Sequence, residues 1–130
     1  MNKYRAKKIT ADGITFDSLI EHRRYQELKL MERSGEIRDL QVHPTYPMVV
    51  YAHGVTNVGM KVCDYVADFE YRRLSIVDRN QWNVVTEDVK GMRSGPAWTT
   101  FRLKAKLFEA LMVRPVEIYP PSLLKPRRRR

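Results

Sequence analysis

Asp88 and Lys90 lie two residues apart in the run Val84-Val85-Thr86-Glu87-Asp88-Val89-Lys90-Gly91, whose β-branched residues read as a strand. A period of two puts both side chains on one face. An earlier run, Tyr65-Val66-Ala67-Asp68-Phe69, has the same character and also carries an acid where a buried strand favours another valine. A carboxylate in a sheet interior is costly unless it binds a cation or a partner. An acid and a lysine aimed together from a strand end, with a second acid nearby, can hold a divalent metal and a water.

A third acid comes from a helix. Asp17 or Ser18 caps a segment that runs to about Ser34, with Gly35 as its stop. At 100° per residue, Ile20, Tyr25, Leu28 and Met31 form one stripe, and Glu21 falls near its middle. Ser18-Leu19-Ile20-Glu21 also fits a capping box, in which Glu21 would serve only the helix start. The alternative is that Glu21 points toward the acids on the sheet beneath it. His22, Arg23, Gln26 and Lys29 fall on the opposite, wet side.

The remaining elements follow from local signals. Ile9 to Phe16 reads as a short hairpin around Asp12-Gly13. Residues 37–51 are extended, with Pro44 and Pro47 marking an edge or bulge. His53-Gly54 and Asn57-Val58-Gly59 mark a turn, Lys61 to Leu74 a long strand, Asp78-Arg79-Asn80 another turn, and Trp82 to Lys90 the next strand. A second helix spans about Trp98 to Met112, burying Phe101, Ala105, Phe108, Leu111 and Met112; Lys104 lies within that face. Val113 to Tyr119 is a last short strand. The order is helix, three strands, helix, strand, behind a small hairpin, which predicts an α/β fold of the mixed-sheet α+β kind. The sheet has four to five strands and is flanked by helices.

The chain has 130 residues, enough for one core, and 43% hydrophobic with 30% charged residues suits a globular domain. The division expected is a basic, mobile segment 1–8, a single domain 9–121 and a basic tail 122–130. A single cysteine, Cys63, excludes a disulfide framework and a zinc ribbon. No secretory or membrane-spanning run is evident, so a cytoplasmic setting is the default. Lys and Arg number 24 against 15 acids, a net charge of +9 concentrated at both ends. Such a field suits a polyanion, nucleic acid first. A membrane surface fits poorly, because no amphipathic helix adjoins the tail. The tail is equally readable as a solvated run that aids solubility.

Asp68, Asp88-Val89-Lys90 and the helical Glu21, in this element order, resemble the PD-(D/E)XK nuclease signature. Gly13-Ile14-Thr15-Phe16-Asp17-Ser18, Arg24-Tyr25, Leu28, Val66-Ala67-Asp68-Phe69 and Glu87 to Gly91 resemble, at closer range, a group of small phage nuclease-like proteins. That resemblance spans roughly residues 4 to 119. Archaeal-type Holliday-junction resolvases share the core. Ala67 stands where the signature has proline. The resemblance implies a restriction-endonuclease-like αβββαβ core and a metal-dependent endonuclease, acting on branched or junction DNA in phage recombination or replication. A homodimer in the host cytoplasm is implied with it.

The catalytic and metal-binding residues follow from the same resemblance, and the DNA contacts from the placement of basic residues. Asp68, Asp88 and the Val89 carbonyl would coordinate Mg²⁺ or Mn²⁺, hard cations that favour oxygen ligands. Glu21 would serve a second ion or a water, and Lys90 would orient the attacking water and stabilise charge on the phosphate. One ion and two ions are both compatible. Arg5, Lys7, Lys8, Arg23, Arg24, Arg93, Lys106, Arg127 and Arg128, with Tyr4, are expected along the DNA backbone. Lys104 either snorkels from its helix or approaches a phosphate. Glu87 points away from Asp88 and is read as structural.

Other chemistries find little support. His22, His43 and His53 lack zinc-ligand spacing, Cys63 has no evident catalytic partner, and no glycine-rich phosphate loop precedes a helix. The alternatives are a nuclease fold that binds DNA or protein without cutting, and a transposase-like end-cleaving subunit.

Overall fold

The structure, a computed structural model, describes residues 7–51 and 58–121. Ile9–Ala11 (β1) and Ile14–Phe16 (β2) form the expected hairpin. Asp12 and Gly13 between them have φ of 53° and 73°, the left-handed pair that a tight two-residue turn requires. The helix Leu19–Ser34 (α1) begins where Ser18 Oγ accepts the Glu21 N–H at 3.2 Å. It ends at left-handed Gly35, φ 85°. Tyr25 and Leu28 are buried and Met31 is partly buried, but Ile20, expected in the same stripe, is 40% exposed. It sits in the first turn, against Gly91 rather than over the core.

The segment read as 37–51 is two strands, Ile37–Val42 (β3) and Thr45–Tyr51 (β4), parted at His43-Pro44. The single strand expected from Lys61 to Leu74 is likewise two: Gly59–Val66 (β5) and Phe69–Leu74 (β6). The halves belong to different sheets. Among the described residues β5 pairs only with β4, as a two-stranded arm, whereas β6 enters the main sheet. The core-facing residues Tyr65, Ala67, Phe69 and Tyr71 keep one parity straight through the break. A period-two pattern therefore gives no sign that the chain changes sheets. Pro47 lies exposed in β4, where an edge tolerates it.

The main sheet has the order β3-β6-β7-β8, where β7 is Trp82–Val89 and β8 is Val116–Tyr119. β3, β6 and β7 are antiparallel, and the helix Gly95–Met112 (α2) carries the chain across to β8, parallel to β7. The mixed α+β architecture is as expected, with the β4–β5 arm inserted between the first two sheet strands. Met112, expected on the buried side of α2, is exposed at the helix end, one residue before left-handed Val113.

Two apolar clusters occupy the two faces. Phe16, Tyr25, Leu28, Ile37, Phe69, Tyr71 and Val85 pack beneath α1; Met48, Tyr65, Ala67, Phe101 and Phe108 pack between the arm and α2. Each fully buried large side chain contributes about 1.5–3 kcal/mol. β7 runs between the clusters, giving Val85 and Glu87 to one face and Thr86 and Asp88 to the other. No helix among the described residues is long and apolar enough to cross a membrane. The turn expected at His53-Gly54 and Asn57, the terminal Tyr4 and Arg5, and the tail with Arg127 and Arg128 lie outside the described residues.

Candidate functional site

Asp68 occupies the break between β5 and β6. Its Oδ2 accepts the Val89 N–H at 2.7 Å, and its own carbonyl accepts the His43 N–H at 2.9 Å. Beside the latter bond, the Ala67 N–H donates to the Pro44 carbonyl at 3.1 Å, closing the root of the arm. Asp68 is thus held by the ends of three strands.

Asp88, at the end of β7, is 3% exposed. Its Oδ2 accepts the Tyr65 hydroxyl at 2.6 Å, and its Oδ1 lies 3.0 Å from Lys90 Nζ. Lys90 Nζ also sits 4.4 Å from the centre of the Phe101 ring, while its backbone N–H donates to Tyr119 of β8 at 2.9 Å. The two-residue spacing does place acid and lysine together. Val89 reaches the cluster through its N–H, which donates to Asp68.

Glu21 is buried, and its Oε1 lies 2.8 Å from His43 Nε2. Only half of the capping box forms: Ser18 caps the Glu21 backbone, but the Glu21 side chain turns inward to the histidine. His43 has φ 54°, a left-handed conformation that histidine tolerates better than most residues. One ligand atom each from Glu21, His43 and Asp68 lie within 4.8 Å of one another. His43 was not among the residues expected here. Its distance from other histidines says nothing about a site completed by carboxylates.

Burial and then the charges of Asp88 and Glu21 push the Asp68 carboxyl up to about 8, against a partial opposing pull from the Val89 N–H. Three acids this close cannot all be ionised cheaply without a cation. Tyr65 is raised as well, by burial and by its bond to Asp88, so its phenol stays protonated and donates. The donors are carboxylates plus one imidazole, a set suited to Mg²⁺ and better still to Mn²⁺, which accepts nitrogen more readily. The residues fit a divalent ion.

A cleft of about 260 Å³ opens beside Asp88 and Lys90, walled by Asp64, Val66, Thr100 and Lys104. Larger cavities lie elsewhere, of about 310 and 340 Å³ and, over the β2–α1 region and over the arm, of about 600 and 630 Å³. None of Glu21, Asp68, Asp88 and Lys90 lines them, but His43 lines the one over the β2–α1 region.

The cations expected along a DNA backbone divide three ways. Lys104 reaches the cleft, with Nζ 3.3 Å from the Asp64 carbonyl. Lys7, Lys8 and Arg23 are exposed, as is Lys106, which lies away from the cleft beside Trp98 and Arg102. Arg24 and Arg93 are otherwise engaged. Arg24 donates to Glu87 at 2.8 and 2.9 Å and stacks 4.0 Å from the Tyr119 ring centre, while Arg93 donates to the Pro120 carbonyl. Glu87 also accepts from Tyr71 at 2.9 Å, so Arg24 and Tyr71 together satisfy the Glu87 carboxylate.

Residues 1–119 match the family described as "Protein of unknown function (DUF1064)". The chain belongs to that family. The match extends from the N-terminus through β8 and so takes in Glu21, His43, Asp68, Asp88 and Lys90 within the family's span. No curated protein and no solved structure matches the chain.

Proposed function

We propose that the protein is a metal-dependent endonuclease that hydrolyses phosphodiester bonds in DNA, built on a PD-(D/E)XK-type core. The observation that carries this reading is the convergence of Glu21, Asp68 and Asp88 with Lys90 at one end of the sheet, from α1, the β5–β6 break and the end of β7. An ion pair alone would explain Asp88 and Lys90, but not two further acids and an imidazole gathered beside them. The sheet order supports the same reading, since antiparallel β3, β6 and β7 followed by the α2 crossover to β8 fit the αβββαβ pattern.

Asp68, Asp88, Glu21 and His43 would hold Mg²⁺ or Mn²⁺. A divalent ion at such a site supplies Lewis acidity and lowers the pKa of water. The chain's own groups do the positioning. Tyr65 holds Asp88 Oδ2 and Lys90 pairs with Oδ1, and both Asp88 and Lys90 line the cleft. Lys90 orients the attacking water and meets the negative charge that develops on the phosphate. Phe101 borders Lys90 and keeps it partly desolvated, which strengthens that interaction. Lys104 and Thr100 line the wall where the neighbouring phosphate would lie.

Branched or four-way-junction DNA is the substrate in this proposal, cut by a homodimer in phage recombination or replication. The basic charge of +9 suits DNA, and a compact domain leaves little room for reading bases. The test is incubation with supercoiled, linear and four-way-junction DNA in Mg²⁺ or Mn²⁺. Cleavage that Asp88→Asn abolishes is expected. No cleavage of any substrate, or cleavage indifferent to Asp88→Asn, would overturn the proposal and favour a binding module that does not cut.

A further inference from the structure

Helix α2 presents to solvent a face that its own packing does not use. Trp98, Arg102 and Lys106 stand on successive turns, and with Thr99 and Leu103 they line a groove of about 340 Å³. Arg102 and Lys106 are exposed, and Leu103 is 72% exposed. Trp98 is divided between two tasks. One side packs toward Phe101, with ring centres 5.5 Å apart, and the residue also walls the groove.

A solvated helix face ordinarily balances its cations with acids three or four residues away. Along α2, Arg102, Lys104 and Lys106 stand against one acid, Glu109. Glu109 lies three residues beyond Lys106, yet among the described residues neither Arg102 nor Lys106 makes an ion pair. Arg102 instead has Trp98 four residues before it and Lys106 four residues after it. Two free cations beside an indole and an exposed leucine suit a ligand that is anionic along its length and carries flat, weakly polar faces between its charges. A nucleic-acid strand with unpaired bases has that chemistry. A duplex offers the same phosphates, but its base faces are stacked on one another and cannot meet Trp98.

We propose that this groove binds an unpaired DNA strand, with a base on Trp98 and phosphates on Arg102 and Lys106. Its position links it to the acid cluster. Phe101 borders both Trp98 and Lys90, whose Nζ is 4.4 Å from the ring centre, and Arg102 and Lys106 follow at one-turn intervals of about 5.4 Å along α2. A strand held at the cluster therefore has a basic, aromatic track to follow on leaving it. The preferred substrate is then branched DNA with a single-stranded arm, a flap or splayed fork rather than a fully paired junction. That substrate preference rests on the nuclease reading, whereas strand binding by the groove does not.

Fluorescence anisotropy on the full chain in chelator, where no strand is cut, tests it with labelled oligothymidylate and a duplex of equal length. Oligothymidylate is expected to bind more tightly than the duplex and to quench tryptophan emission. Trp98→Ala should weaken oligothymidylate binding about tenfold and leave duplex binding nearly unchanged. Arg102→Gln/Lys106→Gln should reduce the slope of log affinity against log salt by about 1.4, the value for two phosphate contacts on a single strand. Should Trp98→Ala fail to fold, the double variant, confined to exposed side chains, decides the matter through that slope. Oligothymidylate bound no better than duplex, or bound by both folded variants as by the wild type, would overturn the proposal. Because the readout is binding, it fails or succeeds separately from DNA cleavage.

Discussion

His43 Nε2 and Glu21 Oε1 meet at 2.8 Å, joining the end of β3 to the first turn of α1. Ser18 already satisfies the Glu21 backbone, so the side chain is spared for this contact. The contact draws an imidazole into a group of carboxylates and alters which ions the group should favour.

Replacing His43 with alanine is expected to weaken Mn²⁺ binding about 10- to 100-fold and Mg²⁺ binding less, because magnesium gains little from a nitrogen donor. Calorimetric titration with both ions checks this. Equal losses for the two ions, or none, would place His43 outside the ligand set.

Lys90→Ala is expected to lower the cleavage rate about 10²–10³-fold, the scale for removing one preorganised positive group from a developing charge. Metal affinity should change little. Single-turnover rates beside a Mn²⁺ titration separate the two quantities.

Asp68 makes the metal-free protein sensitive to pH. Its folded pKa of about 8 lies above the ordinary aspartate value of 3.8, so between these values the folded state holds a proton that the unfolded state has released. Stability is therefore greatest below about pH 4 from this group and is lost as pH rises toward 8, by on the order of a few kcal/mol. Melting temperatures in chelator across that range should fall with pH. Asp68→Asn should flatten the trend, and added Mn²⁺ should raise the melting temperature more at pH 8 than at pH 5.

Arg24→Ala leaves Glu87 buried with only the Tyr71 hydroxyl for company. The expected loss is about 3–5 kcal/mol, the scale for breaking a buried ion pair on one side. Arg24→Lys recovers only part of it, since lysine cannot reproduce the two-pronged contact. Denaturant melts measure both; DNA affinity should be unaffected in any variant that remains folded.

The sequence was most readable where local chemistry decides the outcome. Asp12-Gly13, Ser18 and Gly35 each demand a particular backbone conformation, and hairpin and helix bounds followed from them. The two-residue spacing of Asp88 and Lys90 likewise needed only the pleat. What stayed hidden was non-local. No pattern in the residues around Ala67-Asp68 reports that β5 and β6 part into different sheets, because the core parity runs on unbroken. His43 was hidden for a related reason: a left-handed kink before Pro44, rather than a spacing between ligands, aims it at Glu21. Arg24 looked like one more surface cation, and only the fold reveals that Glu87 claims it.

The two hydrogen bonds at the root of the arm, from the His43 N–H to Asp68 and from the Ala67 N–H to Pro44, have a practical corollary. They pin the chain where it leaves the sheet and where it returns, so whatever lies beyond them can vary in length without moving those anchor points. The inner half of the arm must stay, because Tyr65 and Met48 serve Asp88 and the α2 cluster. The outer half is a natural splice point. Exchanging it for a short polar turn would yield a redesigned scaffold with its acid cluster kept.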